Sequence, residues 1–260
     1  MLLTLDVGNS QIFGGVYDGD ELKTTFRRTS SVRASSDEFG TFFRVTLREN
    51  GVDPEEIAMA GICSVVPDAV HSLRNSFRKY FRFDPFLLQP GVKTGLKIRY
   101  RNPLEVGADK IANAIGALER FPGRNLLIVD FGTATTLCAV TKDKEYLGGI
   151  ITPGIHIAME ALESNTARLP SVEIVRPAEI LGRSIVDSIQ SGLYYGTLAT
   201  VRALSAAVTK EHFPADPPLL IATGGFGRLF DDEQLFDEFV PELPLIGLRR
   251  AVEVSRSRTT

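Results

Sequence analysis

Apolar runs at the start of the chain alternate with short turn sequences, and this pattern predicts three consecutive strands. Residues 2–7 and 12–17 are mainly apolar, and the turn formers Gly, Asn and Ser occupy positions 8–10 between them. A third run at 21–27 follows the turn sequence Asp-Gly-Asp at 18–20. Because the connections are short, the pattern indicates an antiparallel β-meander.

The following segment alternates between helical and strand patterns. Ser35 and Glu38 have the spacing of a capping box, and apolar residues then recur at helical spacing up to a stop at 50–51. An apolar run at 57–66 predicts a buried strand, and a helix follows from Pro67.

The second half of the chain repeats this plan. After a predicted helix at 104–119, apolar runs at 126–131, 135–141 and 146–151 predict a second meander with an Asp-x-Gly turn at the same place. Helical patterns follow at 155–167 and 187–211, and a late apolar run occupies 219–222. The repeat predicts an α/β protein with two similar domains, at 1–112 and 113–260. The domains are expected to pack closely, because no Pro- or Ser-rich linker separates them.

The composition is that of a globular protein: of 260 residues, 43% are hydrophobic, and the formal net charge is −3. This charge does not resemble the basic surface of a nucleic-acid-binding protein, so no nucleic acid is expected as a partner. No apolar run is long enough to cross a membrane, and the N-terminus does not resemble a signal peptide. Cys63 and Cys138 form no metal or redox pair and are predicted to be buried thiols in a reducing compartment. Together these absences predict a cytoplasmic protein with no membrane partner.

The first turn combines a carboxylate with flexible and polar residues in the sequence Asp6-Val7-Gly8-Asn9-Ser10. Gly8 permits close approach of a ligand to the backbone, and the turn amides can bind an anion. Asp6 is a candidate ligand for Mg²⁺, directly or through water. The alternative interpretation is an ordinary hairpin turn, in which Asn and Gly are frequent.

The second meander contains a similar turn, Asp130-Phe131-Gly132-Thr133-Ala134-Thr135-Thr136. Hydroxyl side chains beside a glycine suit phosphate oxygens. The recurrence favours phosphate binding over two unrelated turns, and it predicts that the two turns clamp the phosphates of a nucleotide. Two further Gly-rich segments, at 148–154 and 223–227, are candidates for anion and adenine contacts, or simply for flexible and tight turns.

Gly107-Ala108-Asp109-Lys110 is the strongest candidate for a catalytic site. Asp109 lies among small and apolar residues, where a carboxylate can be positioned to take a proton from a hydroxyl. Lys110 can contact a substrate anion or stabilise the charge of a transferring group. The alternative interpretation of Asp109 is a first-turn helix acid that interacts favourably with the helix dipole.

The chain resembles the type III pantothenate kinases of the acetate kinase/Hsp70/actin superfold. The resemblance rests on an ordered set of motifs: Asp-x-Gly-Asn-Ser at 6–10, Tyr100, Gly-Ala-Asp at 107–109, Asp-Phe-Gly-Thr-Ala-Thr-Thr at 130–136, Gly-Gly-x-Ile-x-Pro-Gly at 148–154, Ser-Ile-Gln-Ser-Gly at 188–192 and Thr-Gly-Gly at 223–225. It implies two similar ribonuclease H-like domains, each with a mixed sheet flanked by helices. The implied reaction is the ATP-dependent phosphorylation of pantothenate to 4′-phosphopantothenate, the first step of coenzyme A biosynthesis.

The resemblance also implies roles for individual residues. Asp109 is the implied general base and Asp130 the implied ligand of a monovalent cation, K⁺ or NH₄⁺, while Mg²⁺ accompanies the nucleotide. The implied ATP-binding residues are Asp6, Val7, Gly8, Asn9, Ser10, Gln11, Ile12, Phe13 and Thr133. The implied pantothenate-binding residues are Tyr100, Gly107, Ala108, Asp109, Lys110 and Ile185. The implied assembly is a homodimer.

Two positions depart from the family pattern. Lys110 stands where Arg is usual and keeps the charge without the bidentate geometry of a guanidinium. Ile185 stands where the family pattern has a Thr that contacts pantothenate, and losing one such hydrogen bond costs about 0.5–1.5 kcal/mol. The departures leave two alternatives to an active pantothenate kinase. One is a non-catalytic or regulatory nucleotide-binding paralogue, and the other is a kinase for a different small hydroxyl-bearing substrate.

Overall fold

A computed structural model describes residues 1–31 and 34–257 of the chain, which form two compact units. The first unit comprises Met1–Leu96, Tyr100–Arg120 and the described part of Leu243–Thr260. The second comprises Lys97–Arg99 and Phe121–Glu242. Each unit contains a mixed β-sheet and a hydrophobic core.

The described residues form strands and helices in an order close to the predicted one. The strands are β1 Leu2–Val7, β2 Gln11–Asp18, β3 Glu21–Thr29, β4 Met59–Ser64, β5 Phe86–Leu88, β6 Lys97–Ile98, β7 Leu126–Phe131, β8 Ala134–Val140, β9 Glu145–Pro153, β10 Leu219–Thr223 and β11 Glu238–Phe239. The α-helices are α1 Ser36–Glu49, α2 Pro67–Tyr80, α3 Ala108–Arg120, α4 Ile155–Asn165, α5 Ile185–His212 and α6 Leu243–Arg256. Short 3₁₀ helices cover Pro54–Glu56, Pro103–Glu105 and Gly227–Glu233.

The two sheets share one connectivity. The sheet of the first unit has the strand order β3-β2-β1-β4-β5, in which β1, β2 and β3 are antiparallel neighbours and β4 and β5 run parallel to β1. In the second unit, β9-β8-β7-β10-β11 repeat this order and these directions, and β6 is added at the edge beside β9. The predicted repeat and the predicted α/β fold with two mixed sheets are therefore confirmed.

Helix α1 begins with the predicted capping box and buries one face. The Ser35 hydroxyl accepts a hydrogen bond from the Glu38 N–H, and the Glu38 carboxylate accepts one from the Ser35 N–H. The apolar residues at helical spacing, Phe39, Phe43 and Leu47, are fully buried. Phe43 stacks on Phe77 of α2, so the two helices share one core against the first sheet.

Helix α6 lies on the opposite face of the first sheet, beside α3. Leu3 and Leu5 of β1 belong to the core beneath α1 and α2, whereas Leu2 packs with Leu245 and Val252 of α6. The backbones of helices α3 and α6 lie in close contact. A Cβ atom on Gly116 of α3 would lie closer than 3.0 Å to the Leu243 carbonyl oxygen of α6, and one on Gly247 of α6 would likewise lie closer than 3.0 Å to the Ala112 carbonyl oxygen of α3. This packing fixes the position of α3, which carries Asp109.

Two sequence-based boundaries differ from the structure. The predicted helix at 104–119 begins instead at Ala108, because Pro103–Glu105 forms a separate 3₁₀ turn capped by the Asn102 side chain. The predicted domain boundary after residue 112 falls inside α3, and α6 packs with the first unit rather than the second. The units are discontinuous in sequence, which local hydrophobic periodicity cannot indicate.

The structure also bears on the cysteines and on membrane-spanning segments. Cys63 and Cys138 are free and buried, in β4 and β8 respectively, as predicted. Among residues 1–31 and 34–257, no helix combines the length and the apolar character needed to cross a membrane.

Candidate active site

The first Asp-x-Gly turn lies in the first unit, between β1 and β2, and hydrogen bonds fix its backbone. The Gly8 N–H donates to the Gln11 carbonyl oxygen at 2.9 Å, which closes the turn. Ser30, directly after β3, donates its N–H to the Ser10 carbonyl oxygen at 2.9 Å and its hydroxyl to the Gly8 carbonyl oxygen at 2.5 Å. Asn9 and Ser10 are exposed. The turn is thus a fixed, accessible backbone whose amides can bind an anion.

Asp6 lies on β1 opposite Cys63 on β4. Cys63 is fully buried, and its thiol donates a hydrogen bond to Asp6 Oδ1 with an S–O distance of 3.2 Å. Burial raises the pKa of the Cys63 thiol well above its usual value, and the carboxylates of Asp6 and Asp109 raise it further. The thiol is therefore a neutral donor to Asp6, and Asp6 and Asp109 both belong to the first unit.

The other predicted ATP-binding residues of the first unit belong to strands. Val7 and Ile12 are buried in the core beneath α1 and α2. Phe13 is buried on the opposite face of the sheet, where the guanidinium of Arg27 lies 3.9 Å from its ring centroid. Gln11 is exposed. Val7, Ile12 and Phe13 therefore offer backbone groups and support for the turn rather than polar side chains.

The second turn lies in the second unit, between β7 and β8. Thr133 is exposed at the turn, whereas Thr135 and Thr136 are buried in β8. Thr136 lies opposite Asp130 in the pairing of β7 with β8. Of these three threonines, Thr133 is therefore the one whose side chain a ligand can reach.

Asp130 lies against the segment that follows β10. Gly224 has a φ of +89°, and a Cβ atom on it would lie 2.5 Å from Asp130 Oδ1 and 2.6 Å from the Phe131 nitrogen. Thr223, opposite Asp130 in the pairing of β7 with β10, is 1% exposed. The Thr-Gly-Gly segment thus packs on the Asp130 carboxylate. The two interpretations drawn from the sequence, an adenine contact and a tight turn, do not include this contact.

Asp109 lies in the first turn of α3, with its carboxylate folded back over Gly107. A Cβ atom on Gly107 would lie closer than 3.0 Å to Asp109 Oδ1. Asp109 Oδ2 pairs with Lys110 Nζ at 3.2 Å, and the two side chains are 25% and 19% exposed. Oδ1 is buried and has no hydrogen-bond partner among the residues that the structure describes. Buried carboxylate oxygens are normally paired, so Oδ1 is suited to receive a hydrogen bond from a ligand.

The remaining predicted pantothenate-binding residues of the first unit differ in exposure. Ala108 is buried as the first residue of α3, beside Asp109. Tyr100 lies before α3 and is 36% exposed. The contiguous group Gly107 to Lys110 is thus brought together around one carboxylate, and Tyr100 presents an accessible ring earlier in the same unit.

Ile185 lies in the second unit as the first residue of α5. The hydroxyl of the preceding residue, Ser184, caps the helix by accepting a hydrogen bond from the Asp187 N–H at 3.1 Å. Ile185 is 54% exposed and lines a cavity of about 890 Å³ with apolar residues of α4 and α5. The Ser184 hydroxyl already serves the helix, so it is not a simple replacement for the threonine that the family pattern has at 185.

Within the described residues, no group of three or more His, Cys, Asp or Glu side chains is arranged to hold a metal ion. Asp6 and Asp130 are candidates as single carboxylates. Mg²⁺ commonly keeps several waters and binds through one or two carboxylates and the phosphates of a substrate. A single carboxylate beside a turn whose amides can bind an anion fits that mode.

The sequence does not indicate that Ser30 and Cys63 contact the first Asp-x-Gly turn. It also does not indicate the contact of Gly224 with Asp130. Cys63 lies in an apolar run that predicts only a buried strand, and Ser30 lies in a polar segment after a strand. These contacts depend on strand pairing between distant parts of the chain, for which the sequence carries no local signal.

Comparison with known proteins settles the family. A sequence model of the type III pantothenate kinases matches residues 2–207. A type III pantothenate kinase of Legionella pneumophila (strain Corby) is 55% identical over 251 residues, which cover 96% of this chain and 98% of that protein. The chain belongs to the type III pantothenate kinase family. A further member of the family, from Elusimicrobium minutum (strain Pei191), is 48% identical over 257 residues, covering 99% of this chain and 100% of its own.

Solved structures of low sequence identity share the fold. A proposed 2-dehydro-3-deoxygalactonokinase of Sinorhizobium meliloti superposes with a TM-score of 0.64 at 15% identity, covering 98% of this chain and 96% of that one. The activator of the 2-hydroxyisocaproyl-CoA dehydratase of Clostridium difficile gives a TM-score of 0.54 at 11% identity, with coverages of 99% and 97%. These similarities confirm the predicted fold class. At such low sequence identities they support a shared fold and no shared function.

Membership in the type III pantothenate kinase family confirms the family and the enzyme class predicted from the motifs. It supports ATP as the phosphoryl donor. The non-catalytic paralogue suggested by Lys110 and Ile185 is not favoured, because the family name extends to relatives that match nearly the whole chain.

Proposed function

We propose that this chain transfers the γ-phosphoryl group of ATP to the primary hydroxyl of pantothenate, with Asp109 as the general base. The observation that carries the proposal is the buried Asp109 Oδ1, which has no hydrogen-bond partner in the part of the chain that the structure describes. The names of the family relatives supply the acceptor. The product would be 4′-phosphopantothenate, formed in the first step of coenzyme A biosynthesis.

The geometry of Asp109 suits the removal of a hydroxyl proton. A hydroxyl bound beside Oδ1 donates its hydrogen bond to the carboxylate, which directs an oxygen lone pair toward the γ-phosphorus. As the new O–P bond forms and the bond to the ADP oxygen breaks, the proton passes to Asp109. Lys110 Nζ, at 3.2 Å from Oδ2, limits rotation of the carboxylate. Tyr100, Gly107, Ala108 and Ile185 complete the proposed pantothenate contacts.

The nucleotide is assigned to residues 6–13 and to Thr133. The turn would offer backbone amides beyond Gly8 and the exposed side chains of Asn9 and Ser10 to phosphate oxygens. Asp6, beside this turn, would hold Mg²⁺ directly or through water, and the ion would neutralise charge on the phosphates. The single carboxylate fits an ion that takes its other ligands from phosphate and water.

A monovalent cation is assigned to Asp130. Gly224 leaves space beside the Asp130 carboxylate for a ligand. A side chain at 224 would fill that space, because its Cβ atom would lie 2.5 Å from Asp130 Oδ1. A carboxylate oxygen is a hard ligand suited to K⁺ or NH₄⁺. Such a cation would offset phosphate charge in the bound nucleotide.

A homodimer is the proposed assembly. The second unit exposes apolar residues on α4, on α5 and in the segment between them, namely Ile157, Leu162, Ile180, Leu181, Ile185 and Val186, and two of them, Leu162 and Ile185, line one cavity. Exposed apolar residues that share a cavity indicate an interaction surface, and a second copy is the proposed occupant because most soluble oligomers are homo-oligomers. Leu181→Glu should convert the dimer to a monomer in light-scattering chromatography. Val45→Glu, at a similarly exposed position of the first unit, should leave it a dimer; a dimeric Leu181→Glu protein would count against this surface.

The reaction itself is tested by product identity. The protein is incubated with ATP, Mg²⁺, K⁺ and pantothenate, ADP release is followed, and the acceptor product is identified by mass spectrometry. We expect pantothenate-dependent ADP release that matches 4′-phosphopantothenate in amount. A panel of small alcohols separates a kinase for another substrate, because that kinase would release ADP faster with a different acceptor. ATP binding without turnover on any acceptor would instead support the non-catalytic alternative.

A further inference from the structure

Two residues outside the first turn form hydrogen bonds with it. Ser30 bonds to its backbone, and Cys63 bonds to the carboxylate of Asp6. Ser30 follows β3 and Cys63 lies in β4, so they reach the turn from the two strands that flank the β1–β2 hairpin. Neither belongs to the residues assigned to ATP, pantothenate or cations. Their contacts divide the turn into two parts that can be tested separately.

Ser30 acts on the backbone of the turn. Its N–H donates to the Ser10 carbonyl oxygen at 2.9 Å, and its hydroxyl donates to the Gly8 carbonyl oxygen at 2.5 Å. The peptides that contain these two carbonyls carry the N–H groups of Asn9 and Gln11. Fixing two carbonyl oxygens fixes the planes of the adjoining peptides, and therefore the direction in which their N–H groups point.

Cys63 acts on the carboxylate of Asp6. Its thiol donates to Asp6 Oδ1 at 3.2 Å from a position with 0% exposure. A hydrogen bond to one oxygen restricts rotation of the carboxylate about its terminal torsion, which is otherwise broad. The orientation of Asp6 toward a cation therefore depends on a side chain that the cation does not touch.

The second unit has a comparable side chain opposite its own aspartate, although the Thr223 hydroxyl makes no hydrogen bond within the described residues. Thr223 of β10 lies opposite Asp130 as Cys63 of β4 lies opposite Asp6. Thr223 is 1% exposed and Cys63 0%. Both side chains are small and carry a polar hydrogen, on oxygen in one and on sulfur in the other. A buried group able to donate is thus built into both halves of the fold at the same place.

We propose that Ser30 and Cys63 are positioning residues for the nucleotide: Ser30 orients the phosphate-binding amides, and Cys63 orients Asp6 toward Mg²⁺. The proposal rests on the proposed assignment of ATP and Mg²⁺ to this turn. Loss of Ser30 weakens ATP binding whether or not Mg²⁺ is present. Loss of Cys63 weakens only the part of the affinity that Mg²⁺ adds.

The experiment measures ATP binding to the whole protein by titration calorimetry, with Mg²⁺ and with a chelator. Ser30→Ala should weaken ATP binding about three- to tenfold in both conditions, the range expected for one lost hydrogen bond. Cys63→Ala should weaken it about threefold with Mg²⁺ and leave it unchanged with the chelator, because a thiol is a weaker donor. The conservative variants Ser30→Thr and Cys63→Ser should bind ATP as the unaltered protein does.

Matched controls separate positioning from general loss of stability. Ser31→Ala removes the neighbouring exposed hydroxyl, and Cys138→Ala removes the other buried thiol of the chain, in the second unit. Both should bind ATP normally in both conditions. Should Cys63→Ala fail to fold, Cys63→Val takes its place, since it fills the site without a polar hydrogen. Pantothenate KM should stay unchanged in every variant.

Two results would overturn the proposal. The first is that Ser30→Ala and Cys63→Ala bind ATP with the affinity of the unaltered protein. The second is that Cys63→Ala loses ATP affinity equally with Mg²⁺ and with the chelator. The variant Asp6→Asn distinguishes a wrong role for Cys63 from a wrong assignment of Mg²⁺ to Asp6. If Asp6→Asn removes the Mg²⁺-dependent affinity and Cys63→Ala does not reduce it, only the role of Cys63 is wrong. If Asp6→Asn has no effect, the Mg²⁺ assignment is wrong, and the role of Cys63 falls with it.

Discussion

The carboxylate of Asp109 folds back over the backbone of Gly107, and a Cβ atom on Gly107 would lie closer to Asp109 Oδ1 than real Cβ atoms come to other atoms. Gly107→Ala should therefore displace the carboxylate without removing its charge. We expect kcat to fall by about 10²-fold, because a misplacement of about 1 Å costs that much in a positioned reaction. Steady-state kinetics at saturating ATP and pantothenate measure the effect.

The control for Gly107→Ala is Gly196→Ala in α5, where a Cβ atom meets open space. Alanine is favoured over glycine inside a helix by roughly 0.5–1 kcal/mol, so this control should be at least as stable as the unaltered protein. Its kcat should not change. A Gly107→Ala protein with an unaltered kcat would contradict the placement of the reactive carboxylate.

Gly224 predicts a second effect, on the monovalent cation. Its φ is +89°, and a Cβ atom added to it would lie only 2.5 Å from Asp130 Oδ1, so Gly224→Ala must move the Asp130 carboxylate or the turn. We expect the K⁺ concentration for half-maximal rate to rise about tenfold, equivalent to about 1.4 kcal/mol of lost binding. Titration of the rate with K⁺ at fixed ionic strength measures it.

The adjacent glycine supplies the comparison. A Cβ atom on Gly225 has no neighbour within 4 Å, so Gly225→Ala should leave the K⁺ requirement unchanged. An equal shift in both variants would mean that the segment acts through its general flexibility and not through Asp130.

The departures at Lys110 and Ile185 predict a gain of function. Ile185→Thr restores a hydroxyl that the family pattern has in contact with pantothenate. One neutral hydrogen bond contributes about 0.5–1.5 kcal/mol, so pantothenate KM should fall about two- to twelvefold. Val186→Thr places a hydroxyl at the next exposed position and should leave KM unchanged. If Ile185→Thr does not lower KM, residue 185 does not contact the substrate.

Lys110→Arg tests the other departure. Arginine presents two parallel N–H donors where lysine presents a point charge, and a guanidinium can keep the contact with Asp109 Oδ2 while Oδ1 stays free for the substrate hydroxyl. We expect kcat to change by less than about threefold, since the charge is kept. Lys110→Met removes the charge and should lower kcat much further; equal rates for both variants would exclude an electrostatic role of residue 110.

Much of the fold follows from local pattern. The two meanders, the Ser35–Glu38 capping box and the long helices have strong periodicity or caps, so the sequence predicts them within a few residues. Strands β5, β6 and β11 are two or three residues long, too short to show any period. Helix α6 returns to the first unit after the second is complete, and a return of this kind is not a local property of the chain.

The candidate site divides in the same way. Asp6, Asp109 and Asp130 are predictable because each stands in a motif with turn or helix-start residues. The contacts that orient them are not, since Cys63 meets Asp6 only through the pairing of β4 with β1. The contact of Gly224 with Asp130 likewise depends on the pairing of β10 with β7. Register between distant strands is set by the whole sheet, and no short segment contains it.

The assignment of Asp109 as the general base is tested most directly by single-turnover phosphoryl transfer in Asp109→Asn. Asparagine keeps the shape of the side chain and cannot accept the hydroxyl proton, and removal of a general base costs about 10²- to 10⁴-fold in rate. We predict a loss of this size in pantothenate-dependent formation of 4′-phosphopantothenate, with ATP affinity within about twofold of the unaltered protein. An Asp109→Asn protein that transfers the phosphoryl group at the unaltered rate would contradict the account.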